Sequence, residues 1–210
     1  MGLTLFVFPQ TSLLQYNFAT LDQLFDLAPM VFMFLIPAIT MRTFSDEFRL
    51  GTIEILKTKP ISKWQIVLGK FFGALVLIIL ALLPTLIYVF SILKLGNPPN
   101  NLDIGSTIGS YFGLLFIAGA YTSIGIFTST FSNNQIVAFV LSVFIVFALF
   151  YGFDAMSSMF KNSEYLVQQF GINEHFKSIS RGVIDTRDVL YFVSVTFFFL
   201  FITKQQLKNE

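Results

Sequence analysis

Two long stretches of this chain carry no charge at all, and they constrain everything else. Phe71–Leu93 runs for about 23 residues and Ile104–Phe131 for about 28, where roughly 20 apolar residues suffice for a helix to cross a bilayer. Inside lipid every backbone N–H and C=O must be satisfied within the protein, which restricts such stretches to helices or closed barrels. Uncharged runs of this length, lacking a two-residue alternation, are helical spans. Composition agrees: 55% of the 210 residues are hydrophobic and 12% are charged, about half the charged share of a soluble domain. A net charge of +1 gives no electrostatic basis for binding nucleic acid. The chain has no cysteine, so disulfides and thiolate metal sites are excluded. The 28 phenylalanines suit lipid-facing helices better than a polar active site.

Taken in order, the chain reads as an all-α integral membrane protein, one transmembrane domain over 1–210. Gly2–Phe8 is apolar but too short to cross, and Thr11–Asp26 reads as a loop. The first whole span is Leu27–Met41, with margins to Leu24 and Phe44, and Pro29 and Pro37 predict kinks in it. Phe71–Leu93 follows, with Pro84 inside, and turn-forming residues fill Lys94–Asp103. The third span lies within Ile104–Phe131. Gly105, Gly109 and Gly113 recur there at four-residue spacing, which allows close helix packing inside the protomer. After the turn Ser132–Asn134, Gln135–Phe153 is the fourth span. Residues 154–188 form a polar extracytoplasmic loop with the anchors Met159, Phe160, Tyr165, Leu166, Phe170 and Phe176, predicted to fold as short interfacial helices. Asp185 caps a last span from about Thr186 through Thr203, with Asp188 in its acidic first turn. Lysine and arginine placement puts Arg42–Lys70 and the Lys204–Lys208 tail inside.

Arg42–Lys70 is the densest charged segment between apolar runs. Ser45 is predicted to cap a short helix through Asp46 and Glu47, and Gly51 to break it. Thr52–Lys57 forms a second helix, with Ile53 and Leu56 on one face and Glu54 reaching Lys57. Pro60 stops it, and Ser62 with Gln65 three residues on is a capping box for the next helix. A short patterned helix between two spans reads as a docking element.

Catalytic chemistry is sparse. There is no G-x-x-x-x-G-K-[ST] loop for nucleotide phosphates and no HExxH motif. No carboxylate falls inside a span, which argues against proton-relay transport and intramembrane aspartyl proteolysis. His175 is the one histidine, and without clustered partners it reads as a solvated or interfacial residue.

The pattern Glu47, Gly51-Thr52-Ile53-Glu54, Leu56, Pro60-Ile61-Ser62 and Ile66-Val67-Leu68-Gly69-Lys70 resembles the coupling-helix region of ABC-2 type exporter permeases. Four further stretches resemble the permease subunit of the gliding-motility-associated ABC transporter: Pro37–Arg42, Gly105–Tyr111, Asn134–Phe139 and Arg181–Asp188. Together these cover about Asp26 to Thr203, and their order along the chain is more specific than any one of them. The resemblance implies an ABC-2 exporter-type fold with five complete spans plus a truncated first span, of which Gly2–Phe8 would be the tail. It implies a bacterial inner-membrane exporter driven by a separate cytoplasmic ABC ATPase subunit. That subunit would grip the 42–70 coupling loop, with Ile53 and Leu56 as apolar anchors and Glu47 and Glu54 orienting the helix. Gly51 would permit the turn before Thr52, and Pro60 would fix the exit. Two permease chains, identical or related, would pair in the bilayer, and no cofactor is implied. Two alternatives belong to other classes. One is a membrane scaffold docking a non-ATPase partner; the other is a membrane enzyme using His175, Glu174 and Asp185.

Overall fold

A computed structural model describes residues 21–95, 102–157 and 167–209. Gly2–Phe8, most of the Thr11–Asp26 segment, residues 96–101 and the anchors Met159, Phe160, Tyr165 and Leu166 lie outside the described residues. Every regular element within them is helical: α1 (Asp22–Thr40), α2 (Arg42–Leu50), α3 (Thr52–Thr58), α4 (Lys63–Leu82), α5 (Leu86–Leu95), α6 (Ile104–Ser129), α7 (Gln135–Phe147), α8 (Phe153–Ser157), α9 (Ile172–Ser180) and α10 (Thr186–Asn209). Among the described residues, five stretches are long and apolar enough to cross a membrane: Asp22–Leu50, Lys63–Lys94, Ile104–Ser129, Gln135–Ser157 and Thr186–Leu207. Their outer faces carry Phe34, Phe72, Phe90, Phe144 and Phe197, all exposed. Water tolerates no apolar surface of that extent on a monomer, whereas lipid requires it.

The bundle is built around α6, which packs against α1, α4, α7, α9 and α10. Of its most apolar window 72% is buried, against 22% for the windows of the α4–α5, α7–α8 and α10 spans. Small side chains make this possible. Gly119, Ala118 and Ala120 leave room for neighbouring helices, and a methyl group on Gly125 would collide with the Thr40 hydroxyl of α1. Leu114, Ile117, Tyr121 and Ile124 of α6 then meet Phe32 and Ile36 of α1, Ile78 of α4, Val146 of α7 and Phe192 of α10 in one core.

The described prolines differ in effect, and the caps act locally. α1 begins at Asp22, inside what reads as loop, and continues through Pro29 and Pro37. At its end the Met41 N–H still reaches the Pro37 carbonyl at 2.8 Å. Pro84 splits the second span with a 3₁₀ turn, Leu83–Thr85, where Thr85 Oγ1 donates to the Leu82 carbonyl at 2.6 Å. The fourth span carries a π turn at Ala148–Gly152 before α8. Asp103 and Asn134 cap α6 and α7 through their side-chain oxygens, and Asp185 Oδ1 accepts from the Arg187 N–H at 3.0 Å at the start of α10.

Candidate functional site

α2 and α3 lie at one end of the bundle. Met41 keeps a right-handed helical conformation, so α2 follows α1 after a single turn residue and starts at Arg42. Ser45 therefore does not cap it. Ser45 is fully buried, and its hydroxyl donates to the Ser129 carbonyl at 3.0 Å, at the end of α6. Thr43 Oγ1 sits 2.9 Å from Ser129 Oγ, and Gln135 of α7 donates to Asp46 Oδ1. These long-range partners outweigh the local cap, since a buried hydroxyl or carbonyl without a partner is costly.

Gly51 separates the two short helices at φ +68°, the left-handed region that favours glycine. Lys59 is extended at φ −73°, ψ 148°, as the residue before a proline prefers. Ser62 then opens α4 with both halves of the capping box: Ser62 N–H donates to Gln65 Oε1 at 2.8 Å and Gln65 N–H to Ser62 Oγ at 3.3 Å.

The facing of α3 differs from the sequence reading. Ile53 is 8% exposed and Leu56 is half-buried, both packed on the chain's own cluster of Phe44, Val67, Phe71, Ile126, Leu200 and Leu207. They hold α3 against the bundle instead of presenting it to a partner. Ile55 of α3, at 63% exposure, and Leu50 at the end of α2, at 67%, face away, with Thr52, Glu54 and Pro60 also exposed. Spacing places Ile53 and Leu56 on one face but is silent about the direction of that face.

Glu47 is likewise turned inward. Lys70 Nζ donates to Glu47 Oε1 at 2.6 Å and to the Thr43 carbonyl, and lies 4.4 Å from the centre of the Phe44 ring. The pair fastens α2 to α4 from residues 23 apart. Nearby, Lys63 Nζ donates to the Leu207 carbonyl at 2.9 Å. Trp64 stacks on Phe197, and Lys204 Nζ lies 4.9 Å from its ring centre. The last turns of α10 are thus joined to the start of α4.

At the opposite end, α9 lies against α6. Its Ile172, Phe176 and Ile179 are buried, so Phe176 anchors into the protein core and not into an interface with lipid headgroups. Gly109 and Gly113 make the contact possible. A Cβ at Gly109 would come within 2.6 Å of the Ile179 carbonyl, and one at Gly113 within 2.9 Å of the Phe176 ring. Gly105 fits against Gly182, whose φ is +87°. Ser106 Oγ completes the seam by donating to the Ser180 carbonyl at 2.8 Å.

His175 belongs to this seam and is not solvated. Its Nδ1 lies 2.7 Å from Asp188 Oδ1 and its Nε2 2.8 Å from the Gln169 carbonyl, while the ring stacks on Tyr191 with centroids 3.9 Å apart. Asp188 is 5% exposed. Both ring nitrogens face oxygen acceptors of the protein itself. The carboxylate in contact is Asp188, whereas Asp185 caps α10. The trio His175, Glu174 and Asp185 is not assembled, and the enzyme alternative loses its geometry. The signal for the true pair, a histidine 13 residues from an aspartate, is not local and has no sequence signature.

The helices and their lipid-suited exterior define a polytopic membrane protein. The chain belongs to the ABC-2 family transporter protein family, whose model matches residues 6–206. No curated protein and no solved structure matches the chain.

Proposed function

We propose that this chain is the permease subunit of an ABC exporter, moved by a separate ATPase that grips the α2–α3 pair. Family membership supports the permease role and an ABC ATPase as partner. The observation that carries the docking reading is the two-sidedness of α3: Ile53 and Leu56 clamp it to the bundle while Ile55, and Leu50 at the end of α2, are exposed. Exposed apolar residues on a rigidly held short helix suit a groove on a soluble partner. In this reading the α2–α3 end is cytoplasmic, Glu54 meets basic groups at the rim, and Gly51 and Pro60 set the two turns. A force applied to α3 would reach α4 and α10 through the shared apolar cluster and the Glu47–Lys70 pair. Two copies of the chain, or one with a relative, would enclose the path. Export, a bacterial inner membrane and a link to gliding motility rest on the sequence resemblance alone.

The test is retention of the ATPase by the purified chain. Burial of one Leu or Ile is worth roughly 1.5–3 kcal/mol, so Ile55→Asp and Leu50→Asp should each weaken retention by about tenfold or more while the protein stays folded. Full ATPase binding by the double variant Leu50→Asp/Ile55→Asp would sink the reading.

A further inference from the structure

A cavity of about 320 Å³ opens at the end of the bundle opposite α2–α3, between α1, α6, the π turn and α9. Its α1 wall carries Asp22 and Asp26, four residues apart and so on one helix face. Its opposite wall carries Lys177 of α9 and, just past the end of that helix, Arg181 at the same spacing. All four are exposed, and among the described residues none of them forms an ion pair. Beneath them the floor is apolar, with Phe25, Phe150 and Phe176 all nearly buried. The hydroxyl of Ser106 is engaged with α9 and the Asn173 amide with Asp154 at 2.6 Å, so the frame of the cavity is fixed by bonds that do not involve the four charges.

A row of carboxylates on one wall and a row of cations on the other set up a field across the opening that favours a molecule with both charges. Arginine recognises a phosphate through paired N–H donors, and a neighbouring lysine adds a second charge. A primary ammonium presents three donors to the carboxylates. We infer that this cavity binds a phosphate–ammonium zwitterion of the phosphoethanolamine type, with the ammonium on Asp22 and Asp26, the phosphate on Lys177 and Arg181, and any attached methylenes over the phenylalanine floor. The shared chemistry is found in a free phosphoethanolamine and in a phosphatidylethanolamine headgroup. The site is a property of this chain alone and does not depend on the ATPase reading.

The experiment uses the full chain in an uncharged detergent. Binding of O-phosphoethanolamine is followed by calorimetry, and retention of phosphatidylethanolamine against phosphatidylglycerol and phosphatidylcholine by native mass spectrometry. Two double variants are compared, Asp22→Asn/Asp26→Asn and Lys177→Gln/Arg181→Gln. Because all four side chains are exposed and, among the described residues, form no salt bridge, unfolding temperature should stay unchanged, which serves as the folding control. Either variant should weaken binding at least about tenfold, the loss expected for one charge-assisted hydrogen bond. Loss in both variants with phosphatidylethanolamine preferred over the other two lipids identifies the headgroup as source. Loss in both variants with O-phosphoethanolamine binding and no lipid preference identifies the soluble zwitterion. Binding that survives both variants, or that tracks only Lys177 and Arg181 and extends equally to phosphatidylglycerol, overturns the proposal, as does failure of both probes to bind.

Discussion

The two ends of the bundle arrange charge and grease in opposite ways. At the α2–α3 end a carboxylate and an ammonium are drawn inward as Glu47–Lys70, while Leu50 and Ile55 remain exposed. At the α9 end the order is reversed: Phe176 and Ile179 are sunk against the α6 glycines, while Asp22, Asp26, Lys177 and Arg181 remain exposed and, among the described residues, form no salt bridge. Exposed grease on a fixed support suits a protein surface, and exposed charge around a cavity suits a small polar molecule. The same five spans thus present two surfaces of different chemistry.

This contrast can be broken most severely at Gly109. Its added Cβ would meet backbone atoms of Ile179 and Gly182, which cannot swing aside. Gly109→Val should destabilise the protein by about 3 kcal/mol, the upper part of the range for overpacking. The effect should be visible as a lower unfolding temperature and as labelling of a cysteine placed at Ile179 in the otherwise cysteine-free chain. Gly73→Ala, at a site with nothing within 4 Å, should change neither readout, and equal effects from both would refute the seam.

A smaller loss is expected at the other end. Lys70→Met leaves Glu47 part-buried without its cation; a fully buried pair broken this way loses about 3–5 kcal/mol. With side chains 19% and 27% exposed, water screens part of that, and about 2 kcal/mol is the expected cost. Glu47→Gln/Lys70→Met should recover much of it in a denaturation series, and no recovery would mean the pair is not what joins α2 to α4. Next comes Gly51→Ala, where an L side chain at φ +68° costs about 1 kcal/mol or somewhat more. Gly51→Asn should cost less because asparagine tolerates that region, and a reversed order in unfolding temperature would contradict the assigned turn. The smallest effect belongs to Ser62→Ala, which removes half a capping box worth about 1 kcal/mol. Ser62→Thr should behave almost as the native chain.

Local chemistry was readable wherever a residue acts on its neighbours. Pro60, Ser62 with Gln65, Gly51, Asn134 and Asp185 all punctuate the chain at the places their stereochemistry requires. Among the described residues the five spans followed from charge-free length, except that the first begins at Asp22, five residues before Leu27. What the sequence could not disclose are the pairings made after collapse. Ser45 looks like a cap until Ser129, 84 residues on, supplies a buried carbonyl. His175 looks isolated until α9 folds back onto α10. The direction of the Ile53–Leu56 face depends on where α4 and α10 end up, and no spacing within α3 encodes that. α9 itself carries apolar residues at 172, 176 and 179, a periodicity that predicts an amphipathic helix. It does not say that the Gly109–Gly113 groove will take the place of the interface as its apolar partner.

The stacking of Trp64 on Phe197, with the Lys204 ammonium beside it, has a practical consequence. It is the one tryptophan in the sequence, so the protein's long-wavelength ultraviolet emission comes from a single spot where α4 meets α10. That spot adjoins the cluster into which Ile53 and Leu56 are packed. Any rearrangement that pries α10 from α4 would alter the stacking and move the ammonium, changing emission intensity and wavelength together. The chain therefore carries its own optical gauge of motion at the α2–α3 end, readable in a cuvette without a label.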